Sequence, residues 1–344
     1  LSSSTTSLVA GPGSTGQWPI LAWSTMPVVK TLVAWAAWLA AATVQAGDLD
    51  PLELLDRMNN AIRSLDYEGR FVVQSGDRLD ALYIVHRVTD GNEVERVVSL
   101  TGAPREIIRG DTAVACLVPG DNAPINLSRR SQGRSYSPLT SIDGRELVRY
   151  YDFNILQQDR VAGRAVHQVE VIPKDALRFG YRLSVDIDTG LPLRAEMIDS
   201  SRNILSQMMF TELKVGSDVT PIERDLSALQ IAKADPEQWA ARDRLAPAAW
   251  EIEPAPPGFR LNVHRRRALP DRSGELEHFI FSDGLATVSV YVQPSGDELI
   301  EHSVSQHGAA NAIGRPLGQH QVIVVGEVPV ETLDLFAQSI RAVQ

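Results

Sequence analysis

Cysteine is almost missing from this chain: Cys116 is the only one in 344 residues, which excludes an intramolecular disulfide and a cysteine zinc site. Lysine is nearly as scarce, with Lys30, Lys174, Lys214 and Lys233 alone, so arginine carries the positive charge. Acidic residues outnumber basic ones 43 to 33. That balance excludes a general nucleic-acid binder, which needs a surface that neutralises phosphates. The seven histidines are scattered, and the nearest pair, His302 and His307, has the wrong spacing for one helical face or an HExxH zinc motif. No GxSxG elbow follows residue 46 and no GxxxxGK phosphate loop occurs. Ser and Asp are plentiful, but nothing sets a nucleophile, a base and an orienting group together. Pairs such as Asp186 with Asp188, or Arg194 with Glu196, read as solvated strand faces. The chain therefore reads as a protein without an enzymatic site, a cofactor or a metal.

Long apolar runs are missing too, with one exception. Met26 to Ala46 holds Lys30, the apolar run Leu32 to Ala42, and small residues at Val44-Gln45-Ala46, the pattern of a secretory signal peptide. The run is shorter than the roughly 20 residues that span a bilayer. Cleavage near Ala46 leaves Gly47 as the first residue of a soluble exported protein with 32 basic and 43 acidic residues. Residues 1–25, rich in Ser, Gly and Thr and without Met, read as an upstream extension outside the fold.

Asp50-Pro51 opens a helix, with Asp as cap, Pro at the first helical position and Glu53 near the positive end. Leu54, Met58, Ile62 and Leu65 form its apolar stripe. After Gly69 the period becomes two. Strands are expected over Arg70–Gln74, Ala81–Val88, Glu93–Leu100, Glu106–Arg109, Thr112–Val118, Val166–Ile172, Tyr181–Ile187, Leu193–Ile198 and Ser206–Val215. Turns at Thr89-Asp90-Gly91-Asn92, Arg109-Gly110-Asp111 and Asp188-Thr189-Gly190 make the sheet antiparallel. Cys116 falls in the apolar run TAVACLV and is expected as a buried free thiol. In YRLSVDIDTGLPLRAEMID, Leu183, Val185 and Ile187, then Leu193, Ala195 and Met197, alternate with polar residues, so one face is apolar and the other wet. A long sheet of this kind curls and needs a helix or a ligand on its apolar face.

Between Ser217 and Pro257 the alternation lapses amid prolines, with a short helix over Ile222–Ala234, and residues 217–248 read as a linker. The division is thus a signal peptide at 26–46, a large β-domain at 47–216, a linker at 217–248 and a small α+β domain at 249–344. Strands in the small domain are expected over Phe259–Arg266, Leu276–Ser282, Thr287–Gln293 and Gln321–Gly326. A closing helix over Val330–Val343 carries Leu333, Phe336, Ala337 and Ile340 on one stripe. Two basic clusters stand out: Arg129, Arg130 and Arg134 in SRRSQGR, and Arg265, Arg266 and Arg267 after His264. Arginine forks suit phosphate or carboxylate recognition.

Six stretches carry a resemblance: GAPREIIRG at 102–110, YYDF at 150–153, DTGLPLRAEMID at 188–199, PPGF at 256–259, FSDGLATVSVYV at 281–292 and VVGEVP at 324–329. In this order and spacing they resemble the MucB/RseB family of periplasmic regulators of the sigma-E type envelope-stress response. The resemblance implies an α+β, mainly antiparallel fold: a LolA/LolB-like unclosed β-barrel plus a smaller sheet-and-helix domain. It also implies a periplasmic protein that binds the periplasmic domain of a MucA/RseA-like anti-sigma factor and shields it from regulatory proteolysis. Lipopolysaccharide or another acyl-bearing lipid is implied as the releasing signal, and self-association as a family trait. A periplasmic lipoprotein or lipid carrier is the alternative that shares the barrel.

The residues expected to line a lipid cavity are Phe71, Val73, Leu82, Ile84, Leu183, Val185 and Leu193, with Arg129, Arg130 and Arg134 meeting lipid phosphates at its mouth. Alternation alone does not say which strand face points inward. The anti-sigma contact is expected on the small domain, around Phe281, Leu285, Val288, Val290 and Val292, with the linker.

Overall fold

The structure, a computed structural model, describes residues 49–110, 114–117, 125–126, 144–222, 248–269, 274–296 and 302–343. Helix α1 (Pro51–Ser64) begins where Asp50 accepts a hydrogen bond from the Leu52 amide and Pro51 takes the first turn. Its stripe of Leu54, Leu55, Met58, Ala61 and Ile62 is buried, and Arg57 donates to the carbonyls of Ile187 and Asp188. The helix is thereby clasped to a hairpin turn far away in sequence.

The first sheet runs through β1 (Tyr67–Ser75), β2 (Arg78–Thr89), β3 (Asn92–Ser99), β4 (Glu106–Gly110), β5 (Val114–Leu117) and β6 (Ile125–Asn126), and continues with β7 (Tyr151–Ile155), β8 (Asp159–Val161), β9 (Arg164–Pro173), β10 (Gly180–Asp186), β11 (Pro192–Ile198) and β12 (Ile204–Val215). A one-turn helix, α2 (Gly144–Leu147), precedes β7. Its order is β6-β5-β4-β3-β2-β1-β12-β11-β10-β9-β7, with β8 beside β9. Every pairing is antiparallel. The first and last halves of the sheet thus join through β1 and β12, while β6 and β7 are its ends, so the sheet curls without closing. The β2–β3 turn needs left-handed backbone at two successive residues, and Asp90 and Gly91 supply it at φ 51° and 79°.

Register sorts the two faces. Phe71 sits opposite Leu82 and Phe210, Ile84 opposite Val97, and Leu183 opposite Val169 and Ala195. All of them join α1 in one apolar core. The reverse face carries the cross-strand row Asn154, Glu170, Arg182, Glu196, Gln207 and Gln74. That face was expected to be wet, and here the structure corrects the reading. Glu170, Glu196 and Asp186 are buried, because Arg182, Arg202 and Arg194 lie over the first two and Arg164 grips the third. Paired arginines bury their own counter-charges on a sheet surface.

The second sheet comprises β14 (Arg260–Ala268), β15 (Glu275–Ser282), β16 (Thr287–Pro294), β17 (Ser303–His307), β18 (Ala310–Leu317) and β19 (His320–Gly326), in the order β14-β15-β16-β19-β18-β17. Helix α3 (Val330–Gln338) covers one face through Leu333, Phe336 and Ala337. It stops five residues short of the expected Val343. Ser339 caps it, and β20 (Ile340–Ala342) pairs with β13 (Trp250–Ile252). Ile340 continues the helical spacing of Phe336 and Ala337, and burial in the same core from a strand satisfies it equally.

Replacing Met58, which has no exposed surface, by Ala removes the centre of the seal between α1 and the sheet. A loss of about 2–5 kcal/mol is expected, read by urea unfolding. Glu68 offers a pH test. Burial pushes its carboxyl upward, but hydrogen bonds from the Thr220 side chain and amide, Tyr83 and Lys214 outweigh this and lower it from 4.5 to about 2. Its stabilising effect is therefore complete above pH 4.5 and is lost as pH falls towards about 2. The stability gap between wild type and Glu68→Gln should close over that window in a pH series of unfolding curves.

Candidate functional site

The seven apolar positions expected to line a lipid cavity all lie on the face under α1. Phe71, Leu82, Ile84, Leu183, Val185 and Leu193 are core residues, while Val73 is half-buried and opposite Met208. Ile84, Leu183 and their neighbours therefore pack against protein, and the less covered part of the face lies at the Val73–Met208 pair. Arg129, Arg130 and Arg134 lie outside the described residues, as does most of the expected Ile222–Ala234 helix.

The same core takes in two residues of the small domain, Leu285 and Ala309, both buried. Each sits next to a turn glycine pressed on the large domain. A Cβ on Gly284 would meet Leu147 at 3.1 Å, and one on Gly308, at φ 59°, would lie 2.4 Å from the Ser75 side chain and 2.8 Å from the Gly76 amide. Two hairpin tips, β1–β2 and β17–β18, can approach this closely only because both carry glycine. The apolar face of the large sheet is thus covered by its own helix and by two turns of the other domain.

The first of these turns also carries one half of the most buried ion pair among the described residues. Arg178 donates through Nη1 to Asp283 at 2.6 Å, and both side chains are fully buried. Its Nε donates to Asp175 at 3.0 Å and its Nη2 to the Pro257 carbonyl at 2.6 Å. The guanidinium carbon lies 4.8 Å from the ring centre of Tyr150 and 5.1 Å from that of Phe259. Asp283 also accepts from the Tyr151 hydroxyl at 2.8 Å and from the amides of Leu285 and Ala286. Burial lowers the arginine's affinity for its proton, but the charge of Asp283 and the hydrogen bond to Asp175 raise it by more, so the guanidinium stays charged. Burial, with the charge of Asp283, pushes the Tyr151 phenol far above its usual range and keeps it a donor. Nearby, the Thr332 hydroxyl donates to the Leu177 carbonyl, and Arg260 pairs with Glu146.

This cluster was not foreseen as a site. Its parts were on view in three separate stretches, YYDF, PPGF and FSDGLATVSVYV, which contribute Tyr150 and Tyr151, Pro257 and Phe259, and Asp283. The structure brings all three around one arginine. Nothing in the local sequence of Arg178 marks it.

On the small domain, Phe281, Val288, Val290 and Val292 are buried beneath α3, and Leu285 belongs to the large domain's core. A partner reaching this segment meets the alternate side chains, Ile280, Ser289 and Tyr291, which are half-buried. The second basic cluster divides in the same way: Arg266 bonds Glu275 and approaches Glu277 at 3.4 Å, while Arg265 and Arg267 lie on the opposite face. Among the described residues no group of His, Cys, Asp and Glu is placed to hold a metal ion.

Comparisons with known proteins cover nearly all of the described residues. A model of the MucB/RseB N-terminal domain matches residues 50–235, and one of the MucB/RseB C-terminal domain matches 244–341. The chain is 31% identical over 327 residues to the sigma factor AlgU regulatory protein MucB of Pseudomonas aeruginosa, covering 92% of this chain and 98% of that protein. It is 24% identical over 303 residues to the sigma-E factor regulatory protein RseB of Haemophilus influenzae, covering 88% and 95%. Among solved structures, the MucA/MucB complex of Pseudomonas aeruginosa matches with a TM-score of 0.68 and 30% identity, over 86% of this chain and 99% of that one. A crystal structure of MucB in complex with MucA(peri) matches with a TM-score of 0.66 and 29% identity, over 86% and 100%.

Removing one partner of the interdomain ion pair strands the other in a dry site. Asp283→Ala or Arg178→Ala should cost about 3–5 kcal/mol. The Arg178→Met/Asp283→Leu double variant should recover much of that loss. Urea unfolding measures the stability, and limited proteolysis between residues 217 and 257 should report loosening in the single variants first.

Proposed function

Because the chain belongs to the MucB/RseB family, we propose that it is a periplasmic regulator of a sigma factor, binding the periplasmic domain of a MucA-like protein and protecting it from proteolysis. The observation that carries this reading is the likeness over both domains to a MucB solved in complex with MucA(peri). The signal-like segment before Gly47 is consistent with export. The protein works by binding and not by catalysis on this reading, since its most buried charges are engaged in holding the fold together: Asp186 by Arg164 and Thr189, Asp283 by Arg178 and Tyr151.

The large domain is the sensing half in this reading. An acyl chain entering beside Val73 and Met208 competes with the residues that now fill the apolar face, Leu285 and Ala309 among them. A dozen buried methylenes at roughly 0.8 kcal/mol each amount to about 10 kcal/mol gross. Separating the domains returns Arg178 and Asp283 together to water, so the ion pair itself opposes separation only weakly, and the apolar contacts of Leu285 and Ala309 are what the lipid must replace. A ligand that favours the separated form shifts the equilibrium towards it.

The test is cleavage of the purified periplasmic domain of the MucA-like protein from the same organism by its regulatory protease. Residues 47–344 should slow cleavage, and lipopolysaccharide should restore it. Lipid uptake without protection would replace the regulator by a lipid carrier.

A further inference from the structure

Thioether sulfur is confined to one half of the molecule. Of five methionines, Met26 precedes Gly47, and the other four, Met58, Met197, Met208 and Met209, all fall in the large domain; residues 249–344 contain none. Every one of the four lies in or against the apolar core under α1. Their cover differs. Met58 has no exposed surface and Met197 keeps 4% of its own, whereas Met208 and Met209, adjacent on β12, are both half-buried. Solvent therefore reaches that pair first.

Neighbours on a strand point to opposite faces. Met208 shares the apolar face with Val73 and Ala195, its cross-strand partners, while Met209 stands beside Val72 and Arg194 on the other. One row further along the apolar face, Ser206 is opposite Ser75. Ser75 and Gly76 form the hairpin tip on which Gly308 presses, and Ala309 enters the shared core from there. The most accessible methionine of the apolar face thus lies one row from the contact between the β1–β2 and β17–β18 tips.

We propose that Met208 is an oxidation site whose sulfoxide loosens the contact between these two hairpin tips. The reactant is a two-electron oxygen donor such as hypochlorous acid. The thioether lone pair takes the oxygen, the O–Cl bond breaks, and chloride and a proton leave; sulfur is oxidised by two electrons and chlorine is reduced by two. The product is a polar group in place of a flexible apolar one. The side chains of Val73 and Ala195 offer it no hydrogen bond, so its oxygen draws water into the apolar face and weakens the packing that seats Ser75 against Gly308. A sulfoxide at Met209 lies on the face of Arg194, where a donor and water are at hand, and leaves the tips in place. The site stands whether or not the chain regulates a sigma factor.

The experiment titrates residues 47–344 with hypochlorous acid and locates the sulfoxides by peptide mass spectrometry. Met208 and Met209 should be modified at the lowest doses, and Met58 and Met197 last. Hydrogen exchange of peptides over β1–β2 and β17–β18 should then run about fivefold faster, and the midpoint of thermal unfolding should fall by about 2–4 °C. Methionine sulfoxide reductases A and B should reverse both changes without any variant. Met208→Leu, which conserves volume and apolar character, should abolish both changes at the same dose, and Met209→Leu should not. Oxidation of Met58 or Met197 as early as Met208, a Met208→Leu protein that still loosens, or a Met208 sulfoxide that leaves exchange at the two tips unchanged would each overturn the proposal.

Discussion

One buried arginine ties the two domains together. Arg178 comes from the large domain and must find a partner for every donor it takes out of water, because an unmatched charge in a dry site costs several kcal/mol. It finds Asp175 in its own domain, then Asp283 and the Pro257 carbonyl beyond the linker. That requirement fixes where the 282–286 turn can sit, and hence where Leu285 enters the large core. Domain orientation is therefore set by a hydrogen-bond requirement as much as by apolar area.

The consequence is a shared core. A curled sheet that does not close must cover its apolar face, and α1 alone does not do so: Leu285 and Ala309 belong to the same cluster. Coverage of that face and placement of the small domain are one feature of the fold, held by two glycine-bearing turns and one ion pair.

Local pattern made most long strands legible. Strands β1 to β4 and β9 to β12 alternate strongly and are bounded by turn residues, so their positions could be read to within a few residues. Strands β6, β7, β8, β13, β17, β18 and β20 escaped, because they have little pattern of their own and exist where a neighbour offers a ladder. In α3 the spacing of Ile340 mimicked another helical turn. Alternation also grouped Phe281, Val288, Val290 and Val292 correctly as one set and could not tell that α3 covers it, since both faces of β15 and β16 carry apolar side chains. Arg178 was invisible, because its partners are spread across the chain from Asp175 to Asp283.

By itself, then, the sequence determined what depends on neighbours in the chain. This includes the export-like segment, the antiparallel strands, the capped first helix, the acidic balance and, through six ordered stretches, the family it resembles. The tertiary structure alone decided which strand face is sealed, where the two domains lock, and that Arg266 meets Glu275 and Glu277. The reason is physical. Helical and strand periods arise from backbone geometry within a few residues, whereas burial of a charge or coverage of a face is settled by groups that only folding brings within reach.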